Sequence, residues 1–116
     1  MANKYQLVNE MANETIKYIS QSSENWIEFL NTASNNYKYS FSEQVLIYAQ
    51  KANATACADI ETWNKRLKRW VNKGAKGIAL LSIENGRSVL RHVFDISDTH
   101  SGIGQDLKLW EVKPSY

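Results

Sequence analysis

Residues 78–96, IALLSIENGRSVLRHVFDI, are the stretch that decides the fold of this chain. They begin with an apolar run of a length suited to a buried strand. The Asn85-Gly86 pair that follows is the strongest short-range signal for a β-hairpin. In the return segment Leu90 and Phe94 share one face, as they would in a strand. The sequence therefore predicts an antiparallel hairpin over residues 78–96.

The segment just before the hairpin, Trp63–Gly77, is strongly basic. Its sequence, WNKRLKRWVNKGAKG, holds six of the fourteen Lys and Arg residues of the chain beside two tryptophans. Clustered positive charge neutralises phosphates and releases counterions, and aromatic rings stack on unpaired bases. An amphipathic helix with a solvated basic face has the same composition. The segment alone leaves these two interpretations as alternatives.

The first half of the chain is predicted to be helical. Apolar residues recur at helical spacing over residues 4–20, which indicates a first helix. Ser23 is expected to cap a second helix, and Ser40 with Glu43 forms a capping-box pair that opens a third.

A fourth helix is expected to begin at Asp59 and end at Gly74. Trp63 and Trp70 are seven residues apart and share its apolar face, so both are predicted to anchor this helix to the core. The outward face then carries the cations expected to contact phosphates, Lys65, Arg66, Lys68 and Arg69.

The predicted fold class is α+β, with about four helices in the N-terminal half packed on a small antiparallel sheet. The sheet would comprise the hairpin 78–96 and a third strand over residues 107–112. A chain of 116 residues is long enough for one domain with a modest core, so residues 1–116 are expected to form a single domain. That domain is either a complete protein or a fragment of a larger one.

Composition and charge narrow the classes of function. The chain is 43% hydrophobic and 22% charged, as soluble globular proteins are, and it has no apolar run of membrane-spanning length. A cytoplasmic location is expected, because Cys57 is the lone cysteine and the N-terminus has no signal-peptide pattern. Residues 1–62 carry four Lys against seven acids, whereas residues 63–116 carry ten Lys and Arg against five acids. The basic second half is expected to attract polyanions.

No catalytic or metal-binding pattern is visible in the sequence. His92, Asp95, Asp98 and His100 lie within nine residues, but strand alternation places His92 and Asp95 on opposite faces, and a surface location is favoured for the group. Neither a nucleophile elbow nor a P-loop is present. We therefore predict a protein that is not an enzyme and needs no cofactor or metal.

Two motifs around the hairpin resemble the N-terminal domain of ArdC-type antirestriction proteins. They are Trp70–Ile78, WVNKGAKGI, and Val93–Thr99, VFDISDT. In that family a helix leads into a V-x-K-G-E-K-G-x-x-V turn and strand, and a later strand reads V-F-N-V-x-Q-T. Trp26–Asn36 and Phe41–Gln50 also resemble the first helices of the family. The start of LtrC-like and helicase/DNA-methylase proteins of conjugative elements is more similar still, over about residues 25–99.

The resemblance implies a single-stranded-DNA-binding domain of a mobile-element protein, from a plasmid or a conjugative transposon. In ArdC-like proteins a metalloprotease-type domain with the zinc signature H-E-x-x-H follows, and that signature is absent here. Ala75 stands where the family usually has Glu, and Asp98 where it often has Gln. The partners implied are single-stranded DNA and a downstream helicase, methylase or protease domain of the same polypeptide. The alternative function is a protein-interaction module that inhibits a host restriction or CRISPR nuclease.

Further residues are expected to join the basic helix face in binding nucleic acid. Glycines in a turn let the backbone approach a phosphate and aim amides at it, although a helix C-cap and a tight entry into a strand explain the same glycines. Exposed rings at the junction of the second and third helices would stack on bases, unless they close the core there. These additional residues are Lys73, Gly74, Lys76 and Gly77 in the turn, Arg87 and Arg91 in the hairpin, and Tyr37, Lys38 and Tyr39 at the junction.

Overall fold

The computed structural model describes residues 3–101, and three α-helices make up its first half. They are α1 (Lys4–Ile19), α2 (Ser23–Asn35) and α3 (Phe41–Gln50). None of the helices in the described residues is long and apolar enough to cross a membrane.

Polar residues cap the three helices at their N-termini. The side chains of Asn3, Ser22 and Ser40 each accept a hydrogen bond from the backbone N–H three residues further on. The capping box of Ser40 and Glu43 is confirmed. The cap of α2 is Ser22 rather than the predicted Ser23, because Ser22 has the extended backbone that a cap requires and Ser23 is already helical.

Five strands follow within the described residues, and they form two separate antiparallel units. β4 (Arg87–Asp95) lies between β3 (Ile78–Glu84) and the short β1 (Cys57–Ala58), while β2 (Arg69–Val71) pairs with β5 (Thr99–Ser101) in a two-stranded ribbon. The predicted α+β class, with its helices in the N-terminal half, is confirmed. The strand predicted over 107–112 lies outside the described residues.

The hairpin of β3 and β4 turns at the predicted residues. Asn85 and Gly86 both have positive φ values, 54° and 77°, as the favoured two-residue hairpin turn requires. Glu84 and Arg87 are the first pair of the ladder, and the register continues to Ile78 opposite Val93.

The predicted fourth helix is wrong beyond its first turn. Asp59 does cap it, since its Oδ1 accepts a hydrogen bond from the Thr62 N–H at 2.8 Å. The helix covers only residues 60–66, with a π-type turn over Thr62–Arg66, and Lys68 then takes a φ of 55° that redirects the chain into β2. Pairing of β2 with β5 overrides the helical periodicity of the segment.

The two tryptophans of the basic segment consequently have opposite environments. Trp63 is 2% exposed, and its Nε1–H donates to the Phe94 carbonyl at 2.9 Å. Trp70 lies on β2 and is 43% exposed. The prediction that both residues anchor the segment to the core is confirmed for Trp63 and wrong for Trp70.

The main core lies between the helices and one face of the hairpin. Its buried members come from α1, α3, β3 and β4 and from Ala54 in the segment after α3, and a second cluster fills the space between the helices around Phe29. Gln50 joins the two layers, because its side chain donates to the Ala79 carbonyl and accepts from the Ala79 N–H. The ribbon of β2 and β5 has no residue in either cluster.

A buried carboxylate, Asp95, fixes the segment that leads into the π-type turn. Asp95 is 1% exposed, so the surface location favoured from the sequence is wrong for this residue. Its oxygens accept hydrogen bonds from the N–H groups of Thr55 and Ala56 and from the N–H and hydroxyl of Ser97. Burial raises the pKa of Asp95, but these hydrogen bonds outweigh it and the net pKa is below the usual value.

Candidate nucleic-acid interface

The cations of the basic segment are mostly exposed. Five of the six reach solvent: Lys65, Arg66, Lys68, Lys73 and Lys76. Lys65 forms an exposed ion pair with Glu61 at 3.5 Å, and within residues 3–101 none of the other five forms an ion pair. Their charge is therefore available to an anionic ligand.

Arg69 is the half-buried exception, and its side chain links the two strands of the ribbon by hydrogen bonds. Its Nε donates to the Thr99 hydroxyl at 2.7 Å and its Nη2 to the Thr99 carbonyl at 3.1 Å. A guanidinium has five N–H donors, so donors remain for a phosphate after these two bonds. Arg69 as a phosphate contact stays a prediction.

Trp70 presents an exposed ring on the ribbon, which the helical interpretation missed. It lies directly opposite His100 of β5, so both side chains are on the same face. The His100 Nδ1 is 2.6 Å from the Asn72 Oδ1, which ties the end of β2 to β5. An indole ring on this face, with cations before and after it in the chain, is an arrangement that suits an unpaired base.

The glycine-spaced turn is held by local geometry at both glycines. Gly74 has a φ of 86°, and strand β2 rather than a helix leads into it, so the predicted helix C-cap is wrong. Gly77 packs against β4: a Cβ there would lie 3.2 Å from the His92 Cβ and 3.4 Å from the Phe94 Cζ. Close packing accounts for Gly77, and a phosphate contact at either glycine stays a prediction.

Lys76 lines a depression with a lysine that the sequence did not single out. Lys76, Gly77 and Lys51, the last at the C-terminus of α3, border a cavity of about 550 Å³ that also touches Asp98. Lys51 is 25 residues from Lys76 in the chain, and only the packing of α3 against β3 brings them together. No local sequence signal links them.

At the junction of α2 and α3 the two tyrosines have different roles. The Tyr39 hydroxyl donates to the Cys57 carbonyl at 3.0 Å, and burial, with the nearby Cys57 and Asp59, raises its pKa to about 12. Tyr39 therefore ties the junction to β1. The Tyr37 ring is 73% exposed, so of the two it is the one whose face is open to a ligand.

A cleft brings this junction together with part of the basic segment. Tyr37, Lys38 and Tyr39 line it on one side and Arg66 on the other, around a volume of about 360 Å³. The sequence named all four residues but did not predict that they share a cleft.

The two hairpin arginines are not equivalent. The Arg91 Nη2 is 2.8 Å from the Glu43 Oε2, and this pair joins β4 to the N-terminus of α3. Arg87 is exposed beside the hairpin turn, opposite Glu84 in the ladder.

Neither a metal site within the described residues nor a similar protein gives further information on the function. Across residues 3–101, no group of three or more His, Cys, Asp or Glu side chains is placed to hold a metal ion. Comparisons with protein-family models, curated proteins and solved structures give no match to this chain.

Proposed function

We propose that this chain is a non-enzymatic DNA-binding domain that prefers single strands and holds them through charge contacts to the backbone. The observation that carries the proposal is the 43% exposed ring of Trp70 within a segment of six cations. The faces of bases in a duplex are already stacked on each other, whereas the bases of a single strand are free to stack on an aromatic ring.

The exposed cations supply most of the affinity in this proposal. Lys65, Lys68, Lys73 and Lys76 are long, exposed side chains whose ammonium groups neutralise phosphates without reading base identity. Binding is accordingly expected to depend weakly on sequence and to fall as salt rises, because each phosphate contact releases condensed counterions.

The resemblance of Trp70–Ile78 and Val93–Thr99 to ArdC-type N-terminal domains supports the same function. In this chain strand β2, and not a helix, leads into the Lys73–Gly77 turn. The resemblance extends the proposal to a cytoplasmic mobile-element protein, in which the domain would deliver single-stranded DNA to a downstream helicase, methylase or protease domain.

A mobility-shift panel tests the strand preference. Single-stranded DNA, duplex DNA and single-stranded RNA of equal length would be titrated with the wild-type protein at low salt. We expect single-stranded DNA to bind more tightly than duplex DNA. We expect Trp70→Ala to weaken the binding of single-stranded DNA more than the binding of duplex DNA. The matched control is Trp26→Ala, since Trp26 is 39% exposed and lies on α2, outside the basic segment of the sequence. No shift with any probe, or duplex binding as tight as single-strand binding, would refute the proposal.

A second candidate function is the protein-interaction module that inhibits a host restriction or CRISPR nuclease. The observation that favours it is a set of exposed apolar side chains on the first two helices, Leu7, Ile27 and Leu30, which are 54%, 56% and 43% exposed. Such a module would form a complex with a purified nuclease that survives DNase treatment and is lost in Ile27→Ser. A complex that disappears on DNase treatment would count against it.

A further inference from the structure

We propose that the cleft between the α2–α3 junction and the π-type turn is a pocket for one nucleobase of the bound strand, stacked on Tyr37, with Lys38 and Arg66 on its phosphate. This inference rests on the proposed function and goes further, because it assigns the place where a base is held. Trp70 lies on the ribbon and does not line this cleft.

The dimensions of the cleft suit one nucleotide. Its volume is about 360 Å³. That is near the lower end of the range for small-molecule sites, roughly 300–1,000 Å³. The buried Trp63 and the half-buried Tyr39 contribute aromatic side chains to its lining. A duplex is too wide to enter such a space, whereas a base extruded from a single strand can.

Several polar groups that line the cleft are already paired within the protein. The Asn36 side chain donates to the Thr32 carbonyl and accepts from the Cys57 N–H. The Tyr39 hydroxyl and the Trp63 Nε1–H both donate to backbone carbonyls. These groups are committed and cannot read the edge of a base, so stacking on Tyr37 is expected to supply most of the base contact.

The exposed Tyr37 ring supplies the stacking face. At 73% exposure it is the most exposed of the large apolar and aromatic side chains in the described residues. A tyrosine ring so open to solvent gains contact area when a base covers it. Stacking on an aromatic ring is sequence-tolerant because every base has a π-face.

The charges of the cleft fit a phosphate at its rim. Lys38 and Arg66 are its two cations, and both are exposed. The third charged residue that lines it, Asp59, caps the π-type turn, and the hydrogen bonds it accepts from Thr62 lower its pKa. Cations outnumber the carboxylate, and the guanidinium of Arg66 can bind a phosphate with two parallel N–H bonds.

The test compares three ligands by fluorescence anisotropy or calorimetry: a short oligothymidylate, an abasic strand of equal length, and thymidine monophosphate. The variants are Tyr37→Ala, Tyr37→Phe and, as the matched control, Tyr18→Ala, since Tyr18 is 47% exposed on α1. We expect Tyr37→Ala to weaken oligothymidylate binding roughly 5- to 150-fold, which corresponds to one lost stacking contact. Abasic binding should not change, Tyr37→Phe should restore affinity, and Tyr18→Ala should resemble wild type.

The outcomes separate this inference from the proposed function. If wild type binds neither strand, the proposed function fails and the pocket fails with it. If wild type binds both strands and Tyr37→Ala equals Tyr18→Ala, the function stands and the pocket is wrong. Monophosphate binding as tight as that of the oligonucleotide would identify a free nucleotide as the occupant and overturn the assignment to a strand.

Discussion

At the scale of single residues, two tryptophans seven positions apart have different roles. Trp63 is buried and hydrogen-bonded under the π-type turn, whereas Trp70 is exposed on the ribbon of β2 and β5. Trp63 therefore contributes to the stability of the fold, whereas Trp70 is available for binding a ligand. Mutating each residue separates the two roles.

Replacing Trp63 with Ala should destabilise the protein far more than replacing Trp70. Loss of a fully buried Trp ring typically costs about 3–5 kcal/mol, because a cavity remains. At the half-exposed Trp70 we expect a loss of about 1 kcal/mol or less. Urea unfolding followed by circular dichroism measures both, and equal losses would contradict the assignment of Trp63 to the core and Trp70 to the surface.

The buried carboxylate of Asp95 should make stability depend on pH. Its pKa is lower in the folded protein than in the unfolded chain, so the unfolded state binds the proton more readily. Its contribution is present above the unfolded value of about 4 and is lost as pH falls through the folded pKa. Urea midpoints from pH 7 to pH 3 should fall for wild type and fall less steeply for Asp95→Asn. Parallel curves for the two proteins would refute this role.

At the scale of secondary-structure elements, the sequence correctly predicted the helix cap and the hairpin turn, which depend on local signals. The capping box at Ser40 and the Asn85-Gly86 turn act over a few residues, and both formed as expected. The helix predicted over β2 is wrong because β2 pairs with β5, about 30 residues later in the chain. The sequence does contain a local signal for a strand here, since Trp70 and Val71 favour strands and the Asn72–Gly74 turn follows directly.

The candidate site was predictable residue by residue but not as an arrangement. Charge and composition were enough to select Arg66, Lys38 and Tyr37. The cleft that they share depends on contacts between distant segments, such as the Tyr39 hydroxyl with the Cys57 carbonyl and the Asp95 carboxylate with the Ala56 N–H. No periodicity in one segment encodes such contacts.

The two arginines of the hairpin should separate stability from binding. Arg91→Met removes the cation from the Glu43 carboxylate, whose side chain is only 11% exposed, and should lower the free energy of unfolding by about 1–3 kcal/mol. Arg87→Met should leave stability unchanged and weaken DNA binding. Urea unfolding and oligonucleotide titration of both variants check this, and a larger loss of DNA affinity in Arg91→Met would contradict it.

At the scale of the whole molecule, charge divides between the two halves of the chain. Residues 1–62 have more acids than Lys, whereas residues 63–116 have twice as many Lys and Arg as acids. A polyanion should therefore be drawn to the basic segment and repelled from the helices, which orients the protein on DNA.

Reversing two charges in the turn should weaken binding to all single strands alike. Lys73→Glu with Lys76→Glu removes two phosphate contacts and adds repulsion, while base identity is not involved. The control is Lys4→Glu with Lys17→Glu, which makes the same change of charge on α1. Affinities for oligonucleotides of several sequences measure the effect. Equal losses in the two double variants would mean that net charge, and not this segment, determines binding.

The most direct test of the central claim is the salt dependence of single-stranded DNA binding by the wild-type protein. If the basic segment binds the phosphate backbone of DNA, the logarithm of affinity should fall linearly with the logarithm of salt concentration, with a slope of about 0.7 per phosphate contact. The line for Lys73→Glu with Lys76→Glu should be shallower by about 1.4, the share of two contacts. A flat dependence in wild type, or the same slope in both proteins, would contradict the account.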